Sequence, residues 1–330
     1  MKDHPRPLPS SSFSVVHSSL FIASLLMLKH TFQHLHGIGE KTEKRLWAAG
    51  ITTWEEFLDS PAQAPLAQWQ RDLGCLELEQ SFRALERRDA RYFTEKLAGA
   101  LHWRLFPEFG QRIAYLDIET TGAAAGMSHL TVIGVYDGSQ PRVYVRGENL
   151  DRFAVEIDEF TLLVTYNGKL FDLPFLRQEL GIPLAHAHID LRYPLAALDY
   201  KGGLKKIEQT LGLEREGSVA LLDGWCAVLL WQYHQQGEPG ALETLLRYNL
   251  EDVIHLPALL ACVYNTRVSR LPFSLPTIAF PPPPPIPFRF DEALIFRTLA
   301  ETGRAVPPAL YEDSASNEAE SNAPEEIPEG

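Results

Sequence analysis

Two carboxylates, one repeat apart at the end of a short apolar run, constrain this chain more than any other feature. The segment Leu116-Asp-Ile-Glu-Thr-Thr-Gly122 follows Ile113-Ala-Tyr, which reads as a buried strand with Thr-Gly turn chemistry behind it. Side chains alternate faces along a strand, so Asp117 and Glu119 project to the same side. Two ionised carboxylates that close together need a compensating charge. A divalent cation with a preference for hard oxygen ligands, magnesium or manganese, is the usual one. Two more aspartates stand in distant motifs: Asp172 in Asn167-Gly-Lys-Leu-Phe-Asp-Leu-Pro-Phe175 and Asp252 in Tyr248-Asn-Leu-Glu-Asp252. Four such carboxylates would complete a cage for two metal ions, an arrangement that supports phosphodiester cleavage.

The three motifs, in this order, resemble the Exo I, Exo II and Exo III motifs of the DEDD (DnaQ-like) 3′–5′ exonucleases. Within that superfamily the chain is most similar to the YprB-type ribonuclease-H-like domains, over roughly residues 110 to 265. Tyr248 lies four residues before Asp252, which matches the tyrosine subtype rather than the histidine subtype. The resemblance implies a ribonuclease-H-like mixed α/β sheet and metal-dependent hydrolysis at nucleic-acid 3′ ends, single-stranded or frayed, with two Mg2+ or Mn2+ ions. By the same resemblance Asp117 and Asp252 would share one or both metals, Glu119 would hold the one that activates water, and Asp172 would support the other. Thr121 and Gly122 would bring backbone near the terminal nucleotide, and Asn167 matches a substrate-side asparagine. Two rivals remain open: a structure-selective endonuclease of the same fold, and a nucleic-acid-binding protein without catalysis.

Each of these residues also has a structural role open to it. Strand-end aspartates cap turns, and Asp172 suits a helix N-terminus. Asn167 before Gly168 is good turn chemistry. Tyr248 sits one helical turn before Asp252, among Leu245, Leu246 and Leu250, so it either packs or turns its hydroxyl towards water or phosphate. With an ordinary tyrosine pKa near 10 it would act by hydrogen bonding. His255, three residues past Asp252, is expected at the surface or behind the ligands. Asp190 and Arg192 lie near the expected substrate groove.

The 330 residues, 45 % of them hydrophobic, suit two domains. Cys75, Cys226 and Cys262 are scattered and form no C-x-x-C pair, so neither zinc nor disulfides are indicated, and a reducing cytoplasm is the natural compartment. The formal charge of −13 is partly local, because seven carboxylates and no lysine or arginine lie between Glu312 and Glu329. With no strongly basic segment, binding to nucleic acid is expected to be modest and salt-sensitive.

Residues 1–27 read as a leader, expected to be disordered; the apolar stretch Phe13–Leu28 is short for a membrane span and has no clear cleavage site. Residues 28–108 read as an all-α domain. Its phrase His34-Leu-His-Gly-Ile-Gly-Glu-Lys-Thr-Glu-Lys-Arg-Leu resembles a helix-hairpin-helix motif, preceded by a helix carrying Phe32 and Leu35. Gly37 and Gly39 would let backbone approach a phosphate, with Lys41 and Lys44 adding charge; a hairpin used only for packing is the alternative. Thr53 and Glu56 spell a capping box. Arg83, Arg87, Arg88 and Arg91 read as a solvated helix face.

The catalytic domain is expected over residues 109–268. Its strands are expected at Ile113–Glu119, Leu130–Tyr136, Arg142–Val145 and Thr161–Tyr166. Its helices are expected at Lys169–Leu180, Ala196–Leu211, Val219–Gln235 and Leu242–Tyr264. Residues 269–311, with Pro281 to Pro285 in a row, should be extended polyproline II, wrapping their own domain or docking an SH3-like protein. Residues 312–330 have the composition of disorder. A monomer with no membrane association is expected.

Overall fold

A computed structural model describes residues 27–122, 128–280 and 282–303. The leader up to residue 26 and the acidic tail lie outside them. A five-stranded mixed sheet carries the fold, in the order β3-β2-β1-β4-β5. Its strands are β1 (Ile113–Thr120), β2 (Leu130–Tyr136), β3 (Pro141–Val145), β4 (Leu162–Thr165) and β5 (Ala187–Asp190). The first three form an antiparallel meander, whereas β4 and β5 run parallel to β1 on its other side. The sheet and its flanking helices match the ribonuclease-H-like α/β architecture, and a helical region precedes them.

That region holds α1 (Glu40–Ala48), α2 (Trp54–Asp59), α3 (Gln68–Glu86), α4 (Ala90–Lys96) and α5 (Phe106–Phe109). Helix α6 (Leu150–Glu156) crosses from β3 to β4, and α7 (Asp172–Leu180) from β4 to β5. After β5 come α8 (Arg192–Ala196), α9 (Leu204–Leu211), α10 (Gly224–Gln235), α11 (Ala241–Ile254), α12 (Leu256–Val268) and α13 (Glu292–Glu301).

The alternation along β1 decides which layer meets which face. Ala114, Leu116 and Ile118 pack with Phe153 of α6 and with Leu173 and Leu176 of α7. Ile113 and Tyr115 point the other way, into a cluster with Leu256, Leu260 and Tyr264 of α12. That cluster continues without a break into Phe32, Leu46, Trp54, Leu78 and Phe93, so the helical region shares a core with one face of the sheet. Asp117 and Glu119 continue the same face towards α11. No described helix is long and apolar enough to cross a membrane.

Several boundaries differ from those expected. The segment read as helix 169–180 begins only at Asp172, because Asn167 is left-handed (φ 68°) and the chain turns once more before winding. Ala196–Leu211 is not one helix: α8 already stops at Ala196, and only after Asp199 (φ 69°) and Gly202 (φ 129°) does α9 begin at Leu204. Leu242–Tyr264 divides at His255, where Pro257 opens α12. The four-residue β5 was not anticipated at all. Ahead of the two glycines there is a single 3-10 turn, Leu28–His30, in place of the expected helix. The capping box is present as read, with Thr53 and Glu56 bonded reciprocally at the start of α2. The arginine row is interrupted where α3 ends, since Arg88 has positive φ and donates to the Glu108 carbonyl. The segment expected to be extended throughout contains α13, started by the Asp291 side chain accepting from the Leu294 N–H. Before it, Phe273 and Ile278 pack on one cluster, Phe288 and Phe290 on another.

Candidate active site

The carboxylates meet because a bare backbone lets α11 lie on the meander. Gly134 of β2 stands opposite Asp117, and a Cβ there would come within 2.1 Å of the Asn249 side chain. Asn249, fully buried on α11, uses the space to donate from Nδ2 to Asp117 Oδ2 at 3.0 Å. Tyr248 and Asp252 flank it on the same helix, one turn apart. Ligand oxygens of Asp117, Glu119 and Asp252 consequently lie within 4.8 Å of one another.

Asp172 arrives from the far side of the sheet. After β4, Thr165 Oγ1 accepts the Gly168 N–H (3.1 Å) so closely that a Cβ on residue 168 would collide with it. The left-handed Asn167 then turns the chain, and Asp172 becomes the first residue of α7, with Oδ1 buried and unpartnered. Asp190 holds this turn in shape. Its carboxylate accepts the N–H groups of Asn167 (2.8 Å), Lys169 (3.1 Å) and Arg192 (3.1 Å). Arg192 in turn donates to Asn167 Oδ1.

One cavity of about 340 Å³ gathers most of the residues expected at the site: Asp117, Glu119, Asp172, Tyr248, Asp252, Gly122 and Asn167. Thr121 does not line it; its N–H and hydroxyl clasp His129 across the loop that follows β1. The glycine-lysine group stands apart. Gly37 accepts from Gln70, Gly39 precedes α1, Lys41 is exposed, and Lys44 pairs with Glu40 at 2.7 Å. Between the two lysines, Glu43 is buried against Arg104 (2.8 Å), a packing role that sequence alone did not suggest.

Other participants carried no signal in the sequence. The Arg215 side chain is buried between two carboxylates: Nε donates to Glu208 Oε2 at 2.7 Å, and Nη2 lies against Asp252 Oδ1. Glu208 also faces His255 Nδ1 at 3.1 Å, so His255 is buried behind the ligands rather than at the surface. Burial would raise the Glu208 pKa, but His255 and Arg215 outweigh it and hold the carboxyl below its ordinary range. Lys205 donates to the Ala220 carbonyl and stands 5.0 Å over the Tyr248 ring. At the rim, the Trp225 side chain is 59 % exposed.

The electrostatics are those of a site built for a cation. Burial, followed by Asp252 and Asp172, pushes the carboxyls of Asp117 and Glu119 well above their ordinary range. Burial and then Asp190 and Asp252 raise Asp172 to about 7. Burial, followed by Asp252, Glu119 and Asp117, lifts the Tyr248 phenol as well. Every donor in the cluster is a hard oxygen, and the single guanidinium at Asp252 cannot neutralise four carboxylates. Asp117, Glu119 and Asp252 therefore fit a divalent metal ion.

The raised Asp172 pKa has a measurable consequence. The folded state keeps a proton that the unfolded chain releases near pH 4, so this group's contribution to stability is complete below that pH. It is lost as pH rises through 7. In metal-free buffer Asp172→Asn is expected to melt above the parent at pH 8, by the equivalent of about 2–4 kcal/mol. At pH 4 the gain should vanish. Thermal melts across that range check it, and a gain independent of pH would refute it.

Residues 114–264 match the family model described as RNase_H superfamily. The matched span starts in β1 and ends in α12, so it encloses all four carboxylates. No relative was found among curated proteins. The family B DNA polymerase from the hyperthermophilic archaeon Pyrobaculum calidifontis is similar in structure at 23 % identity, with a TM-score of 0.35. The similarity covers 49 % of this chain and 26 % of the polymerase, too slight to assign an activity.

Proposed function

We propose that the chain is a metal-dependent 3′–5′ exonuclease of the DEDD tyrosine type, acting on single-stranded or frayed nucleic-acid ends. The observation that carries this reading is the convergence of Asp117, Glu119, Asp172, Asp252 and Tyr248, from three separate segments, on one cavity. On this reading residues 109–268 form the nuclease, preceded by a helical region over 28–108.

Asp117, Glu119 and Asp252 would hold one divalent ion, with Asp172 completing the ligands for a second. Bound there, such ions supply Lewis acidity at the phosphate and water that is acidic enough to act as a nucleophile. The chain's own residues do the rest. Asn249 fixes one Asp117 oxygen, so the carboxylate presents the other to the cavity. Tyr248 reaches the cavity with a phenol that burial, and then the neighbouring carboxylates, hold above its ordinary pKa, so its hydroxyl acts by hydrogen bonding, donating to a phosphate oxygen or orienting the attacking water. Trp225 offers the terminal base a flat, exposed surface on which to stack.

Two substitutions separate these roles. Tyr248→Phe preserves the buried ring, so kcat is expected to fall by about 10²-fold with little change in melting. Trp225→Ala should instead raise KM about tenfold, since base stacking contributes about 1–3 kcal/mol. Steady-state kinetics on a short 3′-ended strand reads both. Parental kcat in the first variant would leave Tyr248 a packing residue.

The reading itself is tested with linear, recessed and circular substrates, as DNA and as RNA, with magnesium or manganese. Digestion confined to 3′ ends is expected. Nicked circles would replace it with an endonuclease, and binding without cleavage would remove the enzyme altogether.

A further inference from the structure

A second cavity, about 530 Å³, opens beside the first, and the two share a wall. The turn from Asn167 to Asp172 separates them: Asn167, Phe171 and Asp172 face the carboxylates, while Lys169 and Leu173 face the neighbour. Most of the lining of this second cavity belongs to the sheet domain, through Arg177 of α7, His188 and Asp190 of β5 and Tyr193 of α8. The rest comes from the helical region, through Arg91, Thr94 and Glu95 of α4 and the turn around His102.

Its charge is positive once the internal pairs are removed. Glu95 is paired with Arg91 at 2.6 Å. The carboxylate of Asp190 keeps its charge but turns its oxygens to three backbone N–H groups, those of Asn167, Lys169 and Arg192, so two cations, Lys169 and Arg177, stand against one carboxylate. Lys169 and Arg177 remain as exposed cations. The Lys169 ammonium stands 5.7 Å over the Tyr193 ring, so a cation and an aromatic face are presented together. His186 lines the same space with a buried Nδ1 that has no partner. Cations alternating with an aromatic face, in a groove running up to a carboxylate site, suit the repeating phosphate and base of a single strand.

We propose that this cleft holds the single-stranded part of the substrate behind the scissile phosphate, its backbone crossing the Asn167–Asp172 turn onto Lys169 and Arg177 and one base resting on Tyr193. The proposal rests on the nuclease reading for its direction, but not for its chemistry. It gives the helical region a place in substrate handling through α4 rather than through the Gly37–Gly39 turn.

The test uses the full chain carrying Lys169→Gln with Arg177→Gln, where glutamine retains donors for the carbonyls of Pro183 and Leu184 that Arg177 now serves. Arg91→Glu is made separately from the opposite wall, and Arg152→Glu, which lines neither cavity, controls for net charge. Fluorescence anisotropy with a labelled twelve-nucleotide strand in EDTA gives Kd at several salt concentrations. The double variant should bind about tenfold more weakly, and its salt slope should fall by about 1.4, the value for two single-strand phosphate contacts. The ratio of kcat/KM on the twelve-mer to that on a dinucleotide should drop in parallel. An unchanged Kd and slope, or a loss matched by Arg152→Glu, overturns the cleft. If the parent cleaves neither substrate, the nuclease reading fails, and the anisotropy still decides the cleft.

Discussion

Replacing Asp252 by asparagine is expected to lower hydrolysis of 3′-ended strands by about 10³-fold or more, the scale on which a site loses a preorganised electrostatic partner. Asparagine keeps the size and planarity of the aspartate, so α11 need not move. What it removes is one of the three carboxylates whose oxygens lie within 4.8 Å of one another. It also takes away the charge that Arg215 faces across the cavity wall. Divalent-metal affinity should therefore fall with activity, measurable by calorimetric titration of magnesium or manganese into the protein without substrate. Asp117→Asn provides the contrast. Asn249 would remain beside the substituted side chain, and no guanidinium would be stranded, so activity should be lost with a smaller change in melting. Turnover near the parental rate in Asp252→Asn, persisting in excess EDTA, would end the metal-dependent account.

The site was more legible than the path that builds it. Asp117 and Glu119 could be placed on one face because a strand has a period of two, and Tyr248 beside Asp252 because a helix returns every turn; both rules operate within a single element. Asp172 required no more than its motif. Arg215 lies in a loop, and its two partners are 7 and 37 residues away, so no local period marks it. Asn249 was within a quoted motif, but its purpose appears only when the missing side chain of Gly134 is seen to leave room for it.

The fold divides along the same line. The antiparallel meander was readable from its apolar runs and the Asp137-Gly138 turn between β2 and β3, whereas β5, four residues long, was too brief to stand out. Helical composition ran straight through residues 196–211 and 242–264. The breaks there depend on backbone conformations at Asp199, Gly202 and His255 that tertiary packing selects. Upstream of Gly37 the residues that suggested a helix face, Phe32 and Leu35, are fully committed to the core without forming one. Hydrophobic spacing established that they are buried, but not in what backbone.

Arg215→Met should destabilise the metal-free protein by about 3–5 kcal/mol, the cost of breaking a buried ion pair by removing one partner. The guanidinium is 3 % exposed and serves Glu208 and Asp252 together. Methionine fills much of its volume, so the loss is electrostatic rather than a cavity. It leaves Glu208 with His255 alone, and it removes from the carboxylate cluster its nearest cation. Two additions should then restore stability by different routes. Magnesium or manganese, by binding the folded state alone, should narrow the gap in melting between variant and parent. Glu208→Gln added to Arg215→Met should recover part of the loss without metal, because the stranded charge is gone, and the double-mutant cycle would register that as coupling between the two positions. A purely structural role for Arg215 predicts rescue by Glu208→Gln only. A role in holding Asp252 for the metal predicts that the doubly substituted protein, although stable, still binds divalent ions more weakly than the parent. Parental melting of Arg215→Met in EDTA would show that neither carboxylate depends on it.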